Sequence, residues 1–403
     1  MQRLQKLFFL LLALGFFSCA STPTVPDRDE GAEPGGIAPP ALAPQEDWLT
    51  IIAAGDNLYH QVMINSGEEG DYEAAYREIR PLVEKADIAF INQETVLAGK
   101  EFGFSGYPRF NTPQRLGRAI SQAGFNVINH ATNHIMDKGE KAVLATLDFW
   151  DSIPGITVLG IHRSADKRGL PVLVKKNNIT VGFLSYTYGT NGIPLPAGKA
   201  YMVSLVNTEI MAGEIDTLRP LCDVLVVSMH WGEEYRHSHD KNQERLAAFL
   251  AEHKVDLVIG HHPHVIQPVE YITRPDGKTM LCFYSLGNLI SAQTQNSTLL
   301  GAMAYVKLKK EPAPDGYSIA VMEAGAIPLV THYDRNYLDF KVYPLYAYTE
   351  DLVKKHWKNR EKKELTLDYL SGAAAKILGD KEITFNPFVN TVQASTPGPY
   401  LYQ

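Results

Sequence analysis

Three histidines within four residues are the side chains of this sequence that are best suited to chemistry. They follow an apolar run that closes on Gly260, and they are His261, His262 and His264. Because glycine lets a strand turn sharply, imidazoles that leave such a turn can converge on one metal ion. A second apolar run closes on His230. Either segment alone could be a buried strand with a satisfied histidine at its rim. Together they predict one shared site, since clustered imidazoles are costly to bury without a ligand.

Polar residues at the ends of other apolar runs extend this site. Open α/β sheets bind ligands at the carboxyl ends of their strands, so these residues are candidates. They are Asp56, Glu94, Asn133, His134, Asp137, Glu234 and Asn288. Each alone could be a turn or capping residue. With the histidines they supply the mixed oxygen and nitrogen set that one or two divalent ions (Mn, Zn, Fe or Mg) require.

The same set contains candidates for proton transfer. His134 follows the candidate ligand Asn133, and it could protonate a leaving group beside the metal. Asp137, three residues further on, is the second catalytic candidate. A closed structural zinc site is not expected, because it would use cysteine ligands that this region of the sequence lacks.

The elements that must position these residues alternate from Trp48 onward, which predicts an α/β fold. The predicted strands are 49–54, 88–91, 125–128, 157–159, 181–186, 224–228, 257–259, 281–284 and 304–308. The predicted helices are 72–83, with a kink or restart at Pro81, then 113–123, 242–253 and 352–363. Cys222 and Cys282 lie in or beside apolar runs and are expected to be buried free thiols, with a disulfide as the alternative.

The first residues predict export. A basic start, an apolar stretch from Leu7 to Phe17 and the junction at Cys19 are typical of a secretory signal with a lipobox-like cysteine. We expect residues 1–19 to be a signal peptide and the mature chain to be a membrane-anchored lipoprotein facing the periplasm or cell surface; cleavage without lipidation is the alternative. Residues 20–46 are rich in Pro, Gly and Ala and predict a disordered tether. The net charge of −7 argues against a nucleic-acid partner.

Six motifs occur in order between Trp48 and Asn288. They are Gly55-Asp56, Asn92-Gln93-Glu94, Ala131 to Gly139, His230 to Tyr235, Gly260 to Val265 and Ser285 to Asn288. In this combination they resemble the bacterial capsule-synthesis protein CapA family, which is linked to poly-γ-glutamate and is a branch of the calcineurin-like metallophosphoesterase superfamily.

The resemblance implies a four-layer α/β/β/α sandwich with a C-terminal extension and a metal site at one end of its sheets. It also implies metal contacts from Asp56, Glu94, Asn133, His230 and two of the three clustered histidines, for which the His-x-His spacing favours His262 and His264. The further pocket candidates are His261, Glu234 and Asn288. Residues 47–310 would form the CapA-like domain, and residues 311–403 an extension that packs on the core.

Two departures from the superfamily pattern bear on the metal count. Its established hydrolases begin with Asp-x-His, whereas here Asp56 is followed by Asn57 and Leu58, and Glu94 stands where the superfamily has a bridging aspartate. One ligand of the first metal is therefore missing unless another group substitutes for it.

The leading functional hypothesis is a metal-dependent hydrolase or transferase in the synthesis or processing of a capsule or cell-envelope polymer. Its substrate would be a phosphoester or an anionic polymer with γ-glutamyl links. The alternative is a non-catalytic component that binds polymer or assembles with membrane components of a capsule-synthesis complex. The altered first motif favours this alternative modestly.

Overall fold

The computed structural model describes residues 47–388, apart from residues 70, 315, 335, 362 and 363. The predicted signal peptide, its cysteine and the tether lie outside the described residues, as does the end of the C-terminal extension. Among the described helices, none combines the length and the apolar character that crossing a bilayer requires.

The described chain contains fourteen strands and nine α-helices. The strands are β1 Trp48–Asn57, β2 Ile88–Gln93, β3 Val127–Asn129, β4 Thr157–Leu159, β5 Val172–Lys176, β6 Ile179–Thr187, β7 Val224–His230, β8 Leu257–His261, β9 Val269–Thr273, β10 Thr279–Phe283, β11 Asn288–Ile290, β12 Leu300–Ala313, β13 Gly316–His332 and β14 Lys341–Pro344. The helices are α1 Gln61–Glu69, α2 Arg80–Val83, α3 Gln114–Gln122, α4 Glu140–Asp151, α5 Ala165–Arg168, α6 Thr208–Leu218, α7 Lys241–Glu252, α8 Glu350–Lys355 and α9 Leu367–Leu378.

Two mixed sheets form the centre of the fold. The first has the order β14-β13-β12-β1-β2-β3-β4, and β11 pairs in parallel with the end of β1. The second has the order β5-β6-β7-β8-β10-β9. Strands β1 to β4 run parallel to one another, as do β6, β7, β8 and β10, so each sheet gathers several carboxyl ends at one edge.

Alternation along the strands of the second sheet separates two apolar layers. In β7, Val224 and Val226 belong to the core shared with the first sheet, whereas Leu225 and Val227 pack on the outer helices. Those helices are α6 and α7, whose inner faces carry Met211, Ile215, Leu246 and Leu250. Because side chains alternate with a period of two, Ser228 and His230 share the inward face of β7 with Val226.

Helices also cover the first sheet. Leu116 and Ile120 of α3 and Phe149 and Trp150 of α4 pack into the core that contains β1, β2 and β3. The arrangement is two sheets flanked by helices, so the predicted four-layer sandwich is confirmed.

The C-terminal part joins the first sheet directly. Strand β12 pairs antiparallel with β1 over seven residues, and the boundary predicted at residue 310 falls inside β12. Strands β13 and β14 then continue the same sheet.

All nine predicted strands coincide or overlap with observed ones, and helices α3 and α7 agree with the sequence pattern. The segment 72–83 divides into a 3₁₀ turn, Tyr72–Tyr76, and the restarted helix α2, in which Pro81 occupies the first turn. The helix predicted over 352–363 is wrong in its bounds. Helix α8 ends at Lys355, because His356 is extended (φ −63°, ψ 141°) and its Nδ1 accepts the backbone N–H of Lys358 at 3.1 Å.

The cysteine prediction is also answered. Cys222 and Cys282 are both free, with Cys282 buried and Cys222 partly buried, so they do not form a disulfide with each other.

Candidate metal centre

Strand register brings polar side chains into two rows, one in each sheet. The row in the first sheet, at the ends of β11, β1, β2 and β3, is Asn288, Asp56, Asn92 and Asn129. The row in the second sheet, at the ends of β6, β7 and β8, is Thr187, His230 and His261. The rows meet between the sheets, where Asn92 Nδ2 lies 3.4 Å from Nδ1 of His230.

Asp56 is held from several directions although it is fully buried. Its Oδ1 accepts a hydrogen bond from Asn92 Nδ2 at 2.7 Å, and its Oδ2 accepts the backbone N–H of His262 at 3.2 Å. The ring of His264 lies next to the same oxygen, with Nδ1 3.1 Å from Oδ2. Asp56 therefore links the end of the first sheet to the histidine loop of the second.

Glu94, which follows β2, is also fully buried, but neither of its oxygens has a hydrogen-bond partner among the described residues. Two imidazole nitrogens lie near it, since Oε1 is 3.9 Å from Nε2 of His230 and 3.9 Å from Nε2 of His264. A buried carboxylate without a partner is costly, which indicates that the site is built for a cation.

The histidine loop has an unusual backbone. His262 and His264 adopt positive φ values of 98° and 58°, a region that residues with a Cβ rarely occupy. Such conformations persist only when their surroundings hold them, and they are concentrated at functional sites. Here they direct both rings towards Asp56 and Glu94.

The expectation that Gly260 makes the turn is wrong. Gly260 lies inside β8, and its φ is not positive. It is needed for close approach, since a Cβ on Gly260 would lie 2.0 Å from the backbone oxygen of Tyr284. The turn itself is made by His262 and His264.

We call the residues Asp56, Glu94, His230, His262 and His264 the cluster. Burial and neighbouring charges shift the pKa values of these residues in opposite directions. Burial raises the pKa of Glu94 well above its usual range. Burial lowers the pKa of His262 to about 3 and that of His230 well below normal. Burial opposes a charge on His264 as well, but the carboxylates of Glu94 and Asp56 raise its pKa to about 9. Burial would raise the pKa of Asp56, yet the hydrogen bond and charge of His264 lower it.

The cluster fits a divalent metal ion. Three triads have donor atoms within 4.8 Å of one another: Glu94, His230 and His262; Asp56, Glu94 and His264; and Glu234, His262 and His264. Besides both oxygens of Glu94, Nδ1 of His262 has no hydrogen-bond partner among the described residues. Neutral imidazole and ionised carboxylate are the forms that bind metal, so a cation would stabilise these buried groups.

Asn133 and His134 lie at the edge of the cluster. Oδ1 of Asn133 is 2.9 Å from Nε2 of His230, which places this predicted ligand at the first triad. His134 Nδ1 lies 2.8 Å from Oδ2 of Asp137, and that oxygen also accepts the backbone N–H of Phe110 at 2.7 Å. The carboxylate thus fixes the orientation of the His134 ring.

The three further pocket residues occupy different positions. His261 stacks on Phe90, with ring centroids 5.6 Å apart, and its Nδ1 is 3.7 Å from Asp56, but it belongs to none of the triads. Glu234 is solvent-exposed and contributes to one triad only. Asn288 Oδ1 lies 3.1 Å from Nδ1 of His264, so Asn288 helps to orient the His264 ring.

Two tyrosines at the end of β6 lie in different environments. Tyr188 is 48% exposed and its ring centroid lies 4.7 Å from that of His262, at the mouth of the site. Tyr186 is buried among the outer apolar side chains of the second sheet.

A chain of amides behind Asp56 was not identified as functional from the sequence. Asn92 donates to Asp56 and accepts a 2.6 Å hydrogen bond from Asn129, and Asn129 accepts from the hydroxyl of Ser185. Asn92 and Asn129 lie at or next to the end of an apolar strand, which is the signal that could have found them. Leu58, which replaces the histidine of the Asp-x-His pattern, is a buried apolar residue.

The fold is a four-layer α/β sandwich that gathers carboxylates and histidines at the ends of its strands. Residues 50–293 match the family described as bacterial capsule synthesis protein PGA_cap, which is more than half of the chain. The chain belongs to this capsule-synthesis family. All the predicted site residues lie within the matched segment.

Curated relatives agree with the family. The PGA biosynthesis protein CapA of Bacillus subtilis (strain 168) is 26% identical over 275 residues, which cover 66% of this chain and 69% of the relative. The capsule biosynthesis protein CapA of Bacillus anthracis is 25% identical over 312 residues, which cover 73% of this chain and 74% of the relative.

Solved structures with a similar fold include two nucleotidases. NAD nucleotidase of Haemophilus influenzae gives a TM-score of 0.42 at 11% identity and covers 84% of this chain and 65% of that chain. A 5'-nucleotidase precursor from Thermus thermophilus gives a TM-score of 0.42 at 14% identity, with 70% of this chain and 54% of that chain covered.

Proposed function

We propose that this protein is a metal-dependent hydrolase or transferase that acts on a phosphoester or on a γ-glutamyl or related polymer during capsule or cell-envelope synthesis or processing. The observation that carries the proposal is the carboxylate of Glu94, which is buried beside the imidazoles of His230 and His264 and has no hydrogen-bond partner among the described residues. Membership of the capsule-synthesis family supports the biological setting.

Asp56, Glu94, Asn133, His230, His262 and His264 would hold one or two divalent ions. When bound, such ions act as Lewis acids on a substrate oxygen and activate water as a nucleophile. Asn92 keeps the Asp56 carboxylate oriented through the 2.7 Å hydrogen bond at Oδ1, and His264 is aligned by Asp56 and Asn288. These side chains are therefore positioned before any ligand arrives.

His134 is the proposed proton donor. Its Nδ1–H donates to Asp137, so Nε2 is the atom that can give a proton to a leaving group. The carboxylate of Asp137 fixes the orientation of this ring. Phe110 supports the pair twice, because its backbone N–H holds Asp137 and its ring packs edge-on against His134 at 4.7 Å.

The second candidate is a non-catalytic component of a capsule assembly or export complex, in which the same pocket binds polymer or a partner. Leu58 favours this candidate, because a buried leucine stands where the established hydrolases of the superfamily carry a metal-binding histidine. In this candidate, any bound metal has a structural role.

The proposed setting is the cell envelope. A basic start, an apolar stretch and Cys19 support export and lipid anchoring, and with them contact with an anionic polymer and membrane components of a capsule-synthesis complex. Substituting Cys19→Ala should release the chain from membrane fractions, and unchanged retention would contradict the anchor.

The test of the activity combines metal analysis with turnover. We would measure the metal content of the purified full chain and its hydrolysis of an aryl phosphate and of poly-γ-glutamate with added Mn, Zn, Mg or Fe. His134→Ala should keep its metal and lose about 10²–10⁴-fold in turnover. His230→Ala should lose metal. His253 is a partly exposed histidine outside the cluster, and His253→Ala is the matched control. Its metal content and turnover should equal those of the wild type.

The outcomes separate the two candidates. Metal with turnover that depends on His134 supports the hydrolase. Metal without turnover of either substrate favours the assembly role, and no metal in any preparation contradicts the site assignment itself.

A further inference from the structure

A cavity of about 340 Å³ opens on the flank of the sandwich, away from the cluster. It lies where the edges of the two sheets come together, between β4 on one side and β5 and β6 on the other. None of the cluster residues lines it. Half of its wall is apolar, and this half includes Trp150, Ile156, Val158 and Phe183. The size falls within the range of pockets that bind small organic molecules.

The other half of the wall is polar and is organised around Arg168. Arg168 Nε donates to Oε1 of Glu214 at 2.9 Å, and Nη1 donates to the backbone oxygen of Ala200 at 3.4 Å. The second oxygen of Glu214 accepts the hydroxyl of Tyr186 at 2.6 Å. Both ends of this ion pair are therefore anchored, and the guanidinium group is held in one orientation.

One nitrogen of this guanidinium group remains unused. Nη2 of Arg168 is buried and has no hydrogen-bond partner among the described residues, although the residue lines the cavity. A buried donor without an acceptor is unfavourable, and a planar guanidinium group is well suited to an oxyanion.

The remaining polar groups do not supply that acceptor. Ser204 is 3.0 Å from Nε2 of His162, and burial lowers the pKa of His162 to about 4, so this imidazole is neutral at neutral pH. Arg163, also in the wall, is already paired with Asp148 at 2.7 Å and Asp151 at 2.6 Å. Lys167, the third basic residue of the wall, is exposed, so Arg168 is the wall cation that has a buried nitrogen without a partner among the described residues.

We propose that this cavity is a second ligand site, which binds a small compound that carries one carboxylate or phosphate group on an apolar body. The oxyanion accepts from Nη2 of Arg168, and the apolar body packs against Trp150, Val158 and Phe183. This site is independent of the metal-dependent activity proposed above.

The cavity also adjoins the support of the metal centre. Ser185 is part of its inner wall, and the Ser185 hydroxyl donates to Asn129, which donates to Asn92, which donates to Asp56. A ligand in the cavity therefore sits one chain of hydrogen bonds away from the cluster.

Binding should be measured by titration calorimetry on the full chain, treated with a chelator so that the cluster cannot capture the probes through a metal. The probes are hexanoate, hexyl phosphate, hexanol and inorganic phosphate. Hexanoate or hexyl phosphate should bind, and the stronger of the two identifies the oxyanion. Hexanol and inorganic phosphate should bind at least about tenfold more weakly, because each lacks one half of the recognition.

Substitutions assign the binding to this cavity. Arg168→Gln should weaken the affinity for the probe that binds by about tenfold or more, since it removes a charged donor. Arg163 lies on the same wall, but its charge is already paired. The affinity of Arg163→Gln for the probe should therefore stay within about threefold of the wild-type affinity. Ile156→Trp adds bulk to the apolar half of the wall and should abolish binding, which keeps the test decisive if Arg168→Gln does not fold.

Three results would overturn the proposal. The first is that no probe binds, the second is that hexanol binds as well as hexanoate, and the third is that affinity is unchanged in both Arg168→Gln and Ile156→Trp.

Discussion

Replacing Glu94 by glutamine is expected to remove most of the stability that a divalent ion confers on this protein. Glu94 belongs to two of the three triads, and both of its oxygens are buried without a partner among the described residues. Glutamine has nearly the same volume but carries no charge. The substitution therefore tests the charge of the site while leaving its packing in place.

The magnitude follows from linkage. At a metal concentration about 100-fold above its dissociation constant, binding stabilises the folded state by about 2.7 kcal/mol. If the glutamine variant binds about 100-fold more weakly, the same concentration contributes only about 0.4 kcal/mol. For a chain of this length, about 1 kcal/mol corresponds to roughly 1.5 °C in melting temperature. The metal-dependent shift should fall from roughly 4 °C to below about 1 °C.

The metal-free protein should respond differently. An unpaired buried carboxylate is unfavourable, so its removal should leave the unfolding free energy within about 1 kcal/mol of the wild type or raise it. The assay is thermal unfolding of the full chain, with chelator and with added Mn or Zn. Glu233→Gln is the matched control, because Glu233 is an exposed residue of the neighbouring motif, paired with Arg236, and takes part in none of the triads.

Two results would refute this reasoning. An unchanged metal-dependent shift in Glu94→Gln would show that Glu94 is not a ligand. A loss of more than about 3 kcal/mol in the metal-free variant would show that its carboxylate stabilises the fold without metal.

Four further predictions concern the framework of the site and the stability of the fold. Gly260→Ala should destabilise the chain by several kcal/mol in denaturant unfolding, about 3 or more, because its Cβ would meet a backbone oxygen at 2.0 Å. Gly213→Ala, in the open middle of α6, should instead stabilise it by about 0.5–1 kcal/mol. Asn92→Ala should weaken metal affinity about 10–100-fold in calorimetry, since it removes the donor that orients a ligand carboxylate. Burial lowers the pKa of His130 and of His356 to about 3, so below about pH 6.5 the unfolded chain binds protons that the folded chain does not. As the pH falls from about 7.5 to 5, the unfolding free energy measured with chelator should therefore decrease by about 2 kcal/mol for each histidine. In His130→Gln, the part of this decrease that is due to His130 should be absent.

The strands that carry the site could be predicted because their local pattern is strong. Buried parallel strands read as apolar runs, and polar side chains at their ends mark the edge where ligands bind. This pattern identified β1, β2, β7 and β8 and with them the positions of the cluster residues, which end or follow these strands. Two of the strands that escaped prediction, β5 and β9, are half-exposed edges, where mixed polarity hides the alternation.

The site residues that escaped prediction are those whose role depends on a neighbour in another element. In the sequence, Asn92 is only one member of a motif. The strand register of the folded protein places it between Asp56 and Asn129. The histidine loop gives a second example. The sequence suggested a turn at Gly260, whereas packing against the backbone of Tyr284 explains that glycine and the turn lies at His262 and His264.

The sequence by itself determined the family, the α/β alternation and the chemical types gathered at the strand ends, because these depend on local periodicity and on motifs that are contiguous in the chain. The tertiary structure alone decided that Glu94 is buried without a partner among the described residues, that Glu234 is exposed, and that Arg168 lines a separate cavity. Burial and partnership are properties of pairs that lie far apart in the chain, and no periodic pattern encodes which side chains meet once two sheets have packed together.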